Sequence, residues 1–478
     1  MPIVLGVDLG TSKISAVAID TCNGVIVACY SAPNRAETTS ASDRADGYSE
    51  WDAQQIAEIG TECLGGIAEQ LRDRPNRPIG LGITGQQHGV VLVDHRLAPL
   101  TPFINWQDRR ASQPFPGSNQ TYVQRAVALV GEAAPRRAGC RLAAGYVGVT
   151  VFWLKEAGRL PAGATACSIM DYFTAALTGR PPVTDATCAA ASGLLDVAAG
   201  DWDRAAIDAL GLSPAILPAV RPSGEFLGGL RPEIAESCGL PAGLPVYVGI
   251  GDNQASFLGS VGDPAGTVLV NVGTGGQVAA FTDQFVYDPL LETRPFPRGG
   301  FLLVAAGLCG GASYAALEQF FRQVGARLFG TAAGEPLYET MNHLAAEVPT
   351  GADGLECEPF FTGTRARPGL RASIRGASTT NLTPAHLTRA VLEGMARTFR
   401  DGYDRITQCT GRLSTRLVGA GNGLRENVVL AQIVAHAFAM PMRFPRHREE
   451  AAFGAALIAA VGAGAFSDIA AAGQIIES

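Results

Sequence analysis

A carboxylate that follows an uncharged strand is the group in this chain best suited to accept a proton. Gly251-Asp252-Asn253-Gln254 comes directly after the apolar run at residues 246–250. An aspartate flanked by glycine at a strand end can take the proton of a substrate hydroxyl. Asp is also a preferred N-cap residue, so the same side chain could cap a helix over residues 254–258. The segment therefore predicts either a general base or a helix cap at Asp252.

Two Gly-Thr turns are candidates for phosphate binding. Gly10-Thr11-Ser12 and Gly273-Thr274 each lie between two apolar runs. A glycine turn lets backbone N–H groups approach anionic oxygens, and the hydroxyl side chains add donors. Asp8, at the end of the run before the first turn, could hold a hydrated Mg²⁺ ion between nucleotide oxygens. Turns of this composition also join strands without any ligand, and that alternative stays open.

A third glycine-rich segment is Gly419-Ala420-Gly421-Asn422-Gly423, which follows a strand pattern at residues 416–418. Glycines between a strand and a helix permit a planar or phosphorylated ligand to approach the backbone closely. The spacing does not match the Rossmann fingerprint, and the chain contains no Walker A sequence. An ordinary strand-to-helix turn would have the same composition.

Polar and aromatic side chains cluster in two further segments. Gln86-Gln87-His88 and the run from Trp106 to Arg110 supply hydrogen-bond donors, acceptors and an aromatic face. Such clusters suit a polyhydroxylated ligand. Structural alternatives stay open, because His88 could be a buried polar residue and Trp106 a core residue. Asp108 could likewise form only a surface ion pair with Arg110.

The elements around these residues predict an α/β protein built from a duplicated unit. Residues 4–17 and 268–280 share an apolar strand, a polar residue, Gly-Thr and a second apolar strand. Three successive strands followed by helix-strand alternation predict a mixed sheet flanked by helices. Asp52 and Thr383-Pro384 have the composition of helix starts.

A boundary between the two units is predicted near residue 246. The segment 238–245 holds two prolines and is rich in glycine, so no helix continues through it. We predict one unit over residues 1–246 and a second over residues 247–478, with the apolar run at 246–250 as the strand that opens the second unit.

Composition excludes several classes of protein. The chain has 478 residues, 47% of them apolar, and a net charge of −7, which argues against a disordered chain and against a nucleic-acid partner. The stretch 451–466 is shorter than the roughly 20 residues that a bilayer span needs, and predicts a buried Ala-rich helix with no membrane partner. Ten scattered cysteines and no recognisable targeting segment predict reduced thiols in the cytoplasm.

Seven segments, taken in order, resemble the FGGY family of carbohydrate kinases over nearly the whole chain. They are VDLGTS at 7–12, GQQHG at 85–89, WQDRR at 106–110, GDNQAS at 251–256, NVGTGG at 271–276, LTPAHLTRAVLEG at 382–394 and GAGNG at 419–423. The resemblance implies two actin-like, ribonuclease-H-like domains with the active site in the cleft between them. It also implies transfer of a phosphoryl group from ATP to the terminal hydroxyl of a sugar.

The resemblance also implies a role for each matching residue. Asp252 would be the general base, and Asp8 would lie beside Mg²⁺. The residues facing the ATP phosphates would be Gly10, Thr11, Ser12, Gly273 and Thr274. The residues lining the adenosine site would be Gly419, Gly421 and Asn422. The residues contacting the sugar would be Gln87, His88, Trp106, Asp108 and Asn253. The first turn departs from the family pattern, since Lys13 stands at the usual serine position and Ser15 at the usual Lys/Arg position.

The segments GQQHGVV, NWQDRR and VGVTVFWL look most like sedoheptulokinases, and part of that pattern is shared with xylulose kinases. Sedoheptulose is therefore the first expected substrate and D-xylulose the second. An ATPase of the actin-like superfamily that acts on no sugar is the alternative from another class, and a non-catalytic sugar sensor is a third. An exposed apolar patch would mark a dimer face, so a homodimer is the candidate assembly.

Overall fold

Two mixed β-sheets organise the chain, and the first is built mainly from its N-terminal residues. The computed structural model describes residues 2–331, 334–361, 363–364, 367 and 369–476. The strands of the first sheet are β1 Ile3–Leu9, β2 Lys13–Asp20, β3 Ile26–Pro33, β4 Pro78–Gly85, β5 Phe226–Gly229, β6 Pro245–Tyr247 and β7 Ile250–Gly251. Their order is β5-β6-β4-β1-β2-β3, with β7 also paired to β4. Strand β4 is parallel to its neighbours β1, β6 and β7. Strand β2 is antiparallel to both of its neighbours, β1 and β3.

The second sheet has the same core connectivity as the first. Its strands are β8 Thr267–Val272, β9 Gly276–Thr282, β10 Glu292–Pro295, β11 Phe301–Leu308, β12 Arg416–Ala420 and β13 Met442–Arg443. Their order is β10-β11-β9-β8-β12-β13. In each sheet an antiparallel hairpin (β1-β2 or β8-β9) pairs on one side with another antiparallel strand and on the other with a parallel strand, β4 or β12. The duplication predicted from the two Gly-Thr turns is therefore a duplication of this hairpin and its flanking strands.

Helices cover the sheets. The ten longest are α1 Ala53–Leu71, α2 Tyr122–Val130, α3 Val147–Glu156, α4 Ile169–Thr178, α5 Asp252–Ser260, α6 Gly311–Leu328, α7 Tyr338–Glu347, α8 Pro384–Thr410, α9 Val428–Phe438 and α10 Glu450–Gly462. Shorter helices span Ala41–Ala45, Ala133–Ala138, Ala186–Ala190, Arg204–Ala209, Pro232–Cys238, Asn422–Arg425 and Ile469–Gly473. Two-stranded pairs join Glu50–Trp51 to Phe103–Ile104, Val91–Val93 to Thr165–Cys167, Val183–Thr184 to Ala219–Val220, Leu195–Asp196 to Asp201–Trp202, and Glu356–Glu358 to Ser373–Arg375.

Small residues bring α10 against α5 and against the first sheet. A Cβ atom added at Gly454 of α10 would collide with the backbone of Ala255 in α5, and one added at Gly259 of α5 would collide with Glu450. Glycines of β1 and β4 meet the other side of α10 in the same way. Residues 451–462 of the Ala-rich stretch are thus a largely buried helix, as predicted, whereas residues 463–466 lie beyond its end. Within the part of the chain that the structure describes, no helix combines the length and the apolar character that a membrane span requires.

The strand expected to open the second unit belongs to the first sheet. Val246 pairs with Leu81 of β4, and Ile250 pairs with Thr84 of the same strand. That expectation was wrong because the Pro- and Gly-rich segment before it joins the short helix Pro232–Cys238 to β6 of the first sheet and is not a linker between units. A boundary between residues 246 and 247 would cut β6, and the chain leaves the first sheet only after α5.

Candidate active site

Two aspartates lie where parallel strands of the first sheet end together. Leu9 of β1 and Gly251 of β7 both pair with Gly85, the last residue of β4. Asp8 precedes Leu9, and Asp252 follows Gly251 as the first residue of α5. The carboxyl ends of parallel strands are the usual place for a binding site in an α/β sheet. The N-cap of α5 is Gly251, so the helix-cap alternative for Asp252 is wrong.

The two aspartates share an electrostatic environment. Burial raises the pKa of Asp8 to about 7, and the negative charges of Asp252 and Glu449 add to that rise, while Lys13 opposes it. The Nζ atom of Lys13 lies 2.7 Å from Oε1 of Glu449. Lys13, which departs from the family pattern, is therefore paired with a carboxylate from the start of α10, at the same edge of the first sheet as Asp8.

This excess of negative charge fits a divalent cation that arrives with a nucleotide. Mg²⁺ is usually held by one or two carboxylates together with phosphate oxygens, not by a cage of protein ligands. The described residues contain no cluster of three or more His, Cys, Asp or Glu side chains arranged to hold a metal by themselves. Asp8 has the carboxylate that such a shared site would use, and the charge of Asp252 lies close to it.

The first Gly-Thr turn is held in place by two side chains from elsewhere in the first unit. The Nδ2 atom of Asn34 donates to the carbonyl oxygen of Gly10 at 2.9 Å, and the backbone N–H of Asn34 donates to that of Ser12 at 3.0 Å. The indole Nε1 of Trp106 donates to the hydroxyl of Thr11 at 3.0 Å. The turn is therefore positioned on both sides before any ligand binds.

The second Gly-Thr turn opens directly onto the start of α6. The backbone N–H groups of Gly311 and Ala312 donate to the carbonyl oxygens of Gly273 and Thr274, each at 2.9 Å. Gly273, Thr274 and Gly275 are exposed. An exposed glycine turn beside a helix N-terminus suits an anionic ligand, because backbone N–H groups and the helix dipole both favour negative charge.

The third glycine segment follows β12 and lies against the end of β8. Gly421 has a φ of 80°, and a Cβ atom there would collide with Val272. Gly421 and Asn422 reach the surface. Gly419, by contrast, is a buried residue of β12, where a side chain would meet Met442 at 2.6 Å. Gly419 therefore allows the strands to pack, and the expectation that it lines a ligand site is wrong.

His88 sits in a backbone conformation that few residues adopt. Its φ is 71°, and its Nδ1 atom lies 2.8 Å from the carbonyl oxygen of Ala191. A carbonyl only accepts, so Nδ1 carries the proton in that hydrogen bond. The imidazole stacks on Tyr146 with ring centroids 4.3 Å apart. Strain of this kind is commonly found at binding sites, where the surrounding structure imposes it.

Gln87 links the first unit to the helix that carries Asp252. Its Nε2 atom donates to the carbonyl oxygen of Thr187 at 2.9 Å and to Oε1 of Gln254 at 3.2 Å. The hydroxyl of Thr187 in turn accepts from the backbone N–H of Gly251 at 2.7 Å. A Cβ atom at Gly251 would collide with the amide of Gln87. The close approach of these backbones fixes Asp252 relative to Gln87.

Two polar atoms beside these residues are buried without a hydrogen-bond partner among the described residues. They are Oδ1 of Asn253 and Nε2 of Gln86. A buried donor or acceptor left unpaired costs about 1–3 kcal/mol, so a hydrogen bond from a ligand to either atom would be favourable. Asn253, which follows Asp252, is placed where a polar ligand would satisfy it.

Asp108 does not face a ligand site. Its side chain is 2% exposed, and its oxygens accept from Nε and Nη2 of Arg110, both at 2.9 Å. They also accept from the backbone N–H groups of Arg110 and of Ser49. These four bonds use the acceptor positions of a carboxylate. The expectation of a sugar contact is therefore wrong for Asp108, and the pair is a buried anchor rather than a surface ion pair. Trp106, on the same loop, is 36% exposed.

A small cavity beside Gln87 and His88 contains residues that the sequence did not single out. Tyr146, Glu292 and Arg294 line it, the last two from strand β10 of the second sheet. No local sequence feature indicates that Glu292 and Arg294 are pocket residues, because only the fold brings β10 next to the first unit. Gln254 lies inside the GDNQAS segment at 251–256, but nothing in that segment indicates its hydrogen bond with Gln87.

Comparisons with known proteins agree with this arrangement. The pattern of the FGGY family of carbohydrate kinases matches twice, with its N-terminal domain over residues 3–259 and its C-terminal domain over residues 269–463. A xylulose kinase of Lactococcus lactis is 28% identical over 98% of this chain and 89% of its own length. A sedoheptulokinase of Mus musculus is 28% identical over 96% of this chain and 97% of its own. The crystal structure of a xylulose kinase from Rhodospirillum rubrum superposes with a TM-score of 0.86 at 28% identity, covering 99% of this chain and 93% of the other.

The family pattern covers both units, and the structure repeats one sheet topology with a helix pair between the two sheets. The expected actin-like architecture is confirmed. The chain belongs to the FGGY family of carbohydrate kinases.

Proposed function

We propose that this carbohydrate kinase transfers the γ-phosphoryl group of ATP to the terminal hydroxyl of a ketose, with sedoheptulose as the first candidate and D-xylulose as the second. The observation that carries the proposal is the position of Asp252. It follows the strand end that Gln87 contacts, and it lies near Asp8 at the common edge of β1, β4 and β7. The proposed proton acceptor Asp252, the proposed metal ligand Asp8 and the polar side chain of Gln87 are thus neighbours.

In the proposed reaction Asp252 accepts the proton of the sugar hydroxyl. The hydroxyl oxygen forms a bond to the γ-phosphorus of ATP, the bond between that phosphorus and the β-phosphate oxygen breaks, and ADP leaves. Mg²⁺, when bound with the nucleotide near Asp8, neutralises charge on the phosphate oxygens. A positioned base of this kind contributes about 10²–10⁴-fold to the rate.

Each remaining polar group has a proposed partner. The turns at Gly10-Thr11-Ser12 and Gly273-Thr274 would contact phosphates, and Gly421 with Asn422 would contact the adenosine. Gln87, His88, Trp106 and Asn253 would contact the sugar. The unpaired amide oxygen of Asn253 supports this assignment, since a sugar hydroxyl would donate to it.

The names of the relatives support a ketose but not one particular ketose. The two relatives described above are named as a xylulose kinase and a sedoheptulokinase, at the same identity of 28%. We favour sedoheptulose because the segments at 85–91 and 105–110 resemble sedoheptulokinases more closely. We also propose a cytoplasmic location, which the ten free cysteines support. A homodimer stays a prediction, to be checked by light scattering.

The test is a panel of ketoses, polyols and aldoses assayed for ADP release with Mg·ATP. We expect sedoheptulose and D-xylulose to stimulate release well above the rate without sugar. ATP turnover that no sugar changes would instead support the ATPase alternative. Asp252→Asn should bind ATP and ketose yet lose at least about 10² in kcat. Near wild-type turnover by this variant would show that Asp252 is not the base.

A further inference from the structure

We infer that Glu292 and Arg294, on strand β10 of the second sheet, complete the sugar pocket and recognise the end of the ketose opposite the phosphorylated hydroxyl. This inference rests on the proposed function. The cavity that both residues line is also lined by Gln87 and His88. Its described lining includes Gln87 and Thr187, which both contact Gly251, but not Asp252 itself. A ketose whose reacting hydroxyl reaches Asp252 would therefore present its other end to the pair.

Strand β10 is fixed to the first unit and to the helix of Asp252. The backbone N–H of Thr293 donates to the carbonyl oxygen of Gly139 at 2.8 Å. The hydroxyl of Tyr146, whose ring stacks on His88, donates to Oε1 of Glu292 at 3.2 Å. Nε2 of Gln254 donates to the carbonyl oxygen of Pro295 at 3.1 Å. Three contacts along four residues set the distance from β10 to His88 and to α5.

The chemistry of the pair suits a ketose end. Oε2 of Glu292 lies 3.0 Å from Nε and 2.6 Å from Nη2 of Arg294, and the side chains are only 13% and 11% exposed. Burying two charges is costly, so such a pair is weak evidence for stability alone. A carboxylate accepts from hydroxyl groups, and a guanidinium donates to carbonyl or hydroxyl oxygens. A hydroxymethyl group next to a ketone offers one donor and one acceptor to match them.

Glu292→Gln is the main test, measured with sedoheptulose or D-xylulose and with the corresponding 1-deoxy ketose. Calorimetry without nucleotide gives the sugar Kd, and steady-state assays give KM and kcat. We expect the ketose Kd and KM to rise about tenfold, because a neutral amide oxygen, a weaker acceptor, replaces the charged carboxylate. The kcat and the ATP KM should stay close to wild type. Removing the C1 hydroxyl should weaken binding to the wild type strongly and to Glu292→Gln much less.

Asp288→Asn is the matched control. Asp288 forms a comparable two-point ion pair, with Arg405 at 2.9 and 2.7 Å, but neither residue is among those that line the cavity. Its loss should lower the melting temperature without changing the sugar Kd. Should Glu292→Gln fail to fold, Glu292→Asp, which keeps the charge and shortens its reach, provides the same comparison.

The outcomes separate this inference from the proposed function. Suppose the wild type phosphorylates a ketose, but the Glu292 variants and Arg294→Lys bind that ketose with the wild-type Kd. If removing the C1 hydroxyl also weakens binding to these variants as much as to the wild type, the inference is overturned. The pair would then only hold the two units together. If the wild type neither binds nor phosphorylates any ketose, the proposed function falls and takes the inference with it. A rise in Kd confined to the cavity variants supports the inference.

Discussion

The indole Nε1 of Trp106 donates a hydrogen bond to the hydroxyl of Thr11 over 3.0 Å. We propose that Trp106 contacts the sugar, and Thr11 belongs to the first Gly-Thr turn, which we propose contacts the ATP phosphates. The bond therefore joins the two proposed substrate sites directly. A change in either residue should be felt by both substrates.

Trp106→Phe tests this coupling, because it keeps an aromatic face and removes the N–H donor. We expect the KM values for ketose and for ATP both to rise by about 2- to 10-fold, the range for one hydrogen bond of 0.5–1.5 kcal/mol. Trp202→Phe is the matched control. Its Nε1 donates to the carbonyl oxygen of Pro218 at 2.8 Å, so the same type of bond is lost outside the site. A KM for ATP that Trp106→Phe leaves unchanged would show that the bond does not position the turn.

His88 and Asp108 should now respond differently to substitution by alanine. His88→Ala removes a ring from the cavity and should raise the ketose KM about tenfold with little change for ATP. Asp108→Ala leaves the buried guanidinium of Arg110 without its two-point partner, although the ion pair of Arg110 with Glu50 remains. Breaking a buried ion pair on one side typically costs about 3–5 kcal/mol.

The measurement is thermal unfolding beside steady-state kinetics for both variants. Asp108→Ala should show a clearly lower melting temperature, and His88→Ala should not. A stable Asp108→Ala protein with a raised ketose KM would contradict the buried anchor and return Asp108 to the sugar site.

The hairpins and helix starts could be predicted because local chemistry determines them. The Gly-Thr turns lie between the strands they were expected to join, and the side chains of Asp52 and Thr383 cap α1 and α8 as their composition indicated. The motif around Asp252 was recognisable because it is contiguous. These features depend on residues that are close in sequence.

What could not be predicted depends on distant partners. The run at 246–250 has the composition of a strand, but its place in the first sheet follows from pairing with β4, more than 160 residues earlier. Asp108 lies in a sugar-kinase motif, yet the backbone N–H of Ser49 and the guanidinium of Arg110 occupy its oxygens. Glu292 and Arg294 gave no local signal, since only the meeting of the two units makes them pocket residues.

Gly273→Val tests the second Gly-Thr turn. Gly273 does not have the positive φ that favours glycine, and a Cβ atom there would meet nothing within 4 Å, so the fold should tolerate a side chain. That open space is where we place ATP phosphates, and a branched side chain would fill it. We expect the affinity for Mg·ATP to fall at least tenfold while the melting temperature changes little. Calorimetry with nucleotide alone provides the measurement.

Gly65→Ala is the control for Gly273→Val. Gly65 lies in α1, and a Cβ atom there would only reach ordinary contact with Cys238 at 3.8 Å. This change should leave nucleotide affinity as it is. A folded Gly273→Val protein with wild-type affinity for Mg·ATP would remove this turn from the nucleotide site.

A buried carboxyl outside the site should make stability depend on pH. Asp171 lies in the first turn of α4, where it accepts from the backbone N–H of Ser168 at 3.0 Å. Burial raises its pKa to about 7, against the opposing hydrogen bonds of Ser168 and with a further rise from Asp185. An unfolded aspartate titrates near 3.9. Between these values the folded chain holds a proton that the unfolded chain has released, so the free energy of unfolding falls as pH rises from about 4 to about 7.

Asp171→Asn should remove this part of the pH dependence, because the amide stays neutral and its oxygen can still accept from Ser168. The variant should lose less stability than the wild type between pH 4 and 7, with a difference of at most about 4 kcal/mol. Urea unfolding at several pH values measures this difference.

Asp468→Asn is the control of opposite sign, since backbone hydrogen bonds hold the pKa of that exposed N-cap below its usual value. Loss of the Asp468 charge should lower the free energy of unfolding at neutral pH and change it less near pH 3. Parallel pH profiles for the wild type and Asp171→Asn would show that Asp171 is already ionised in the folded protein at low pH.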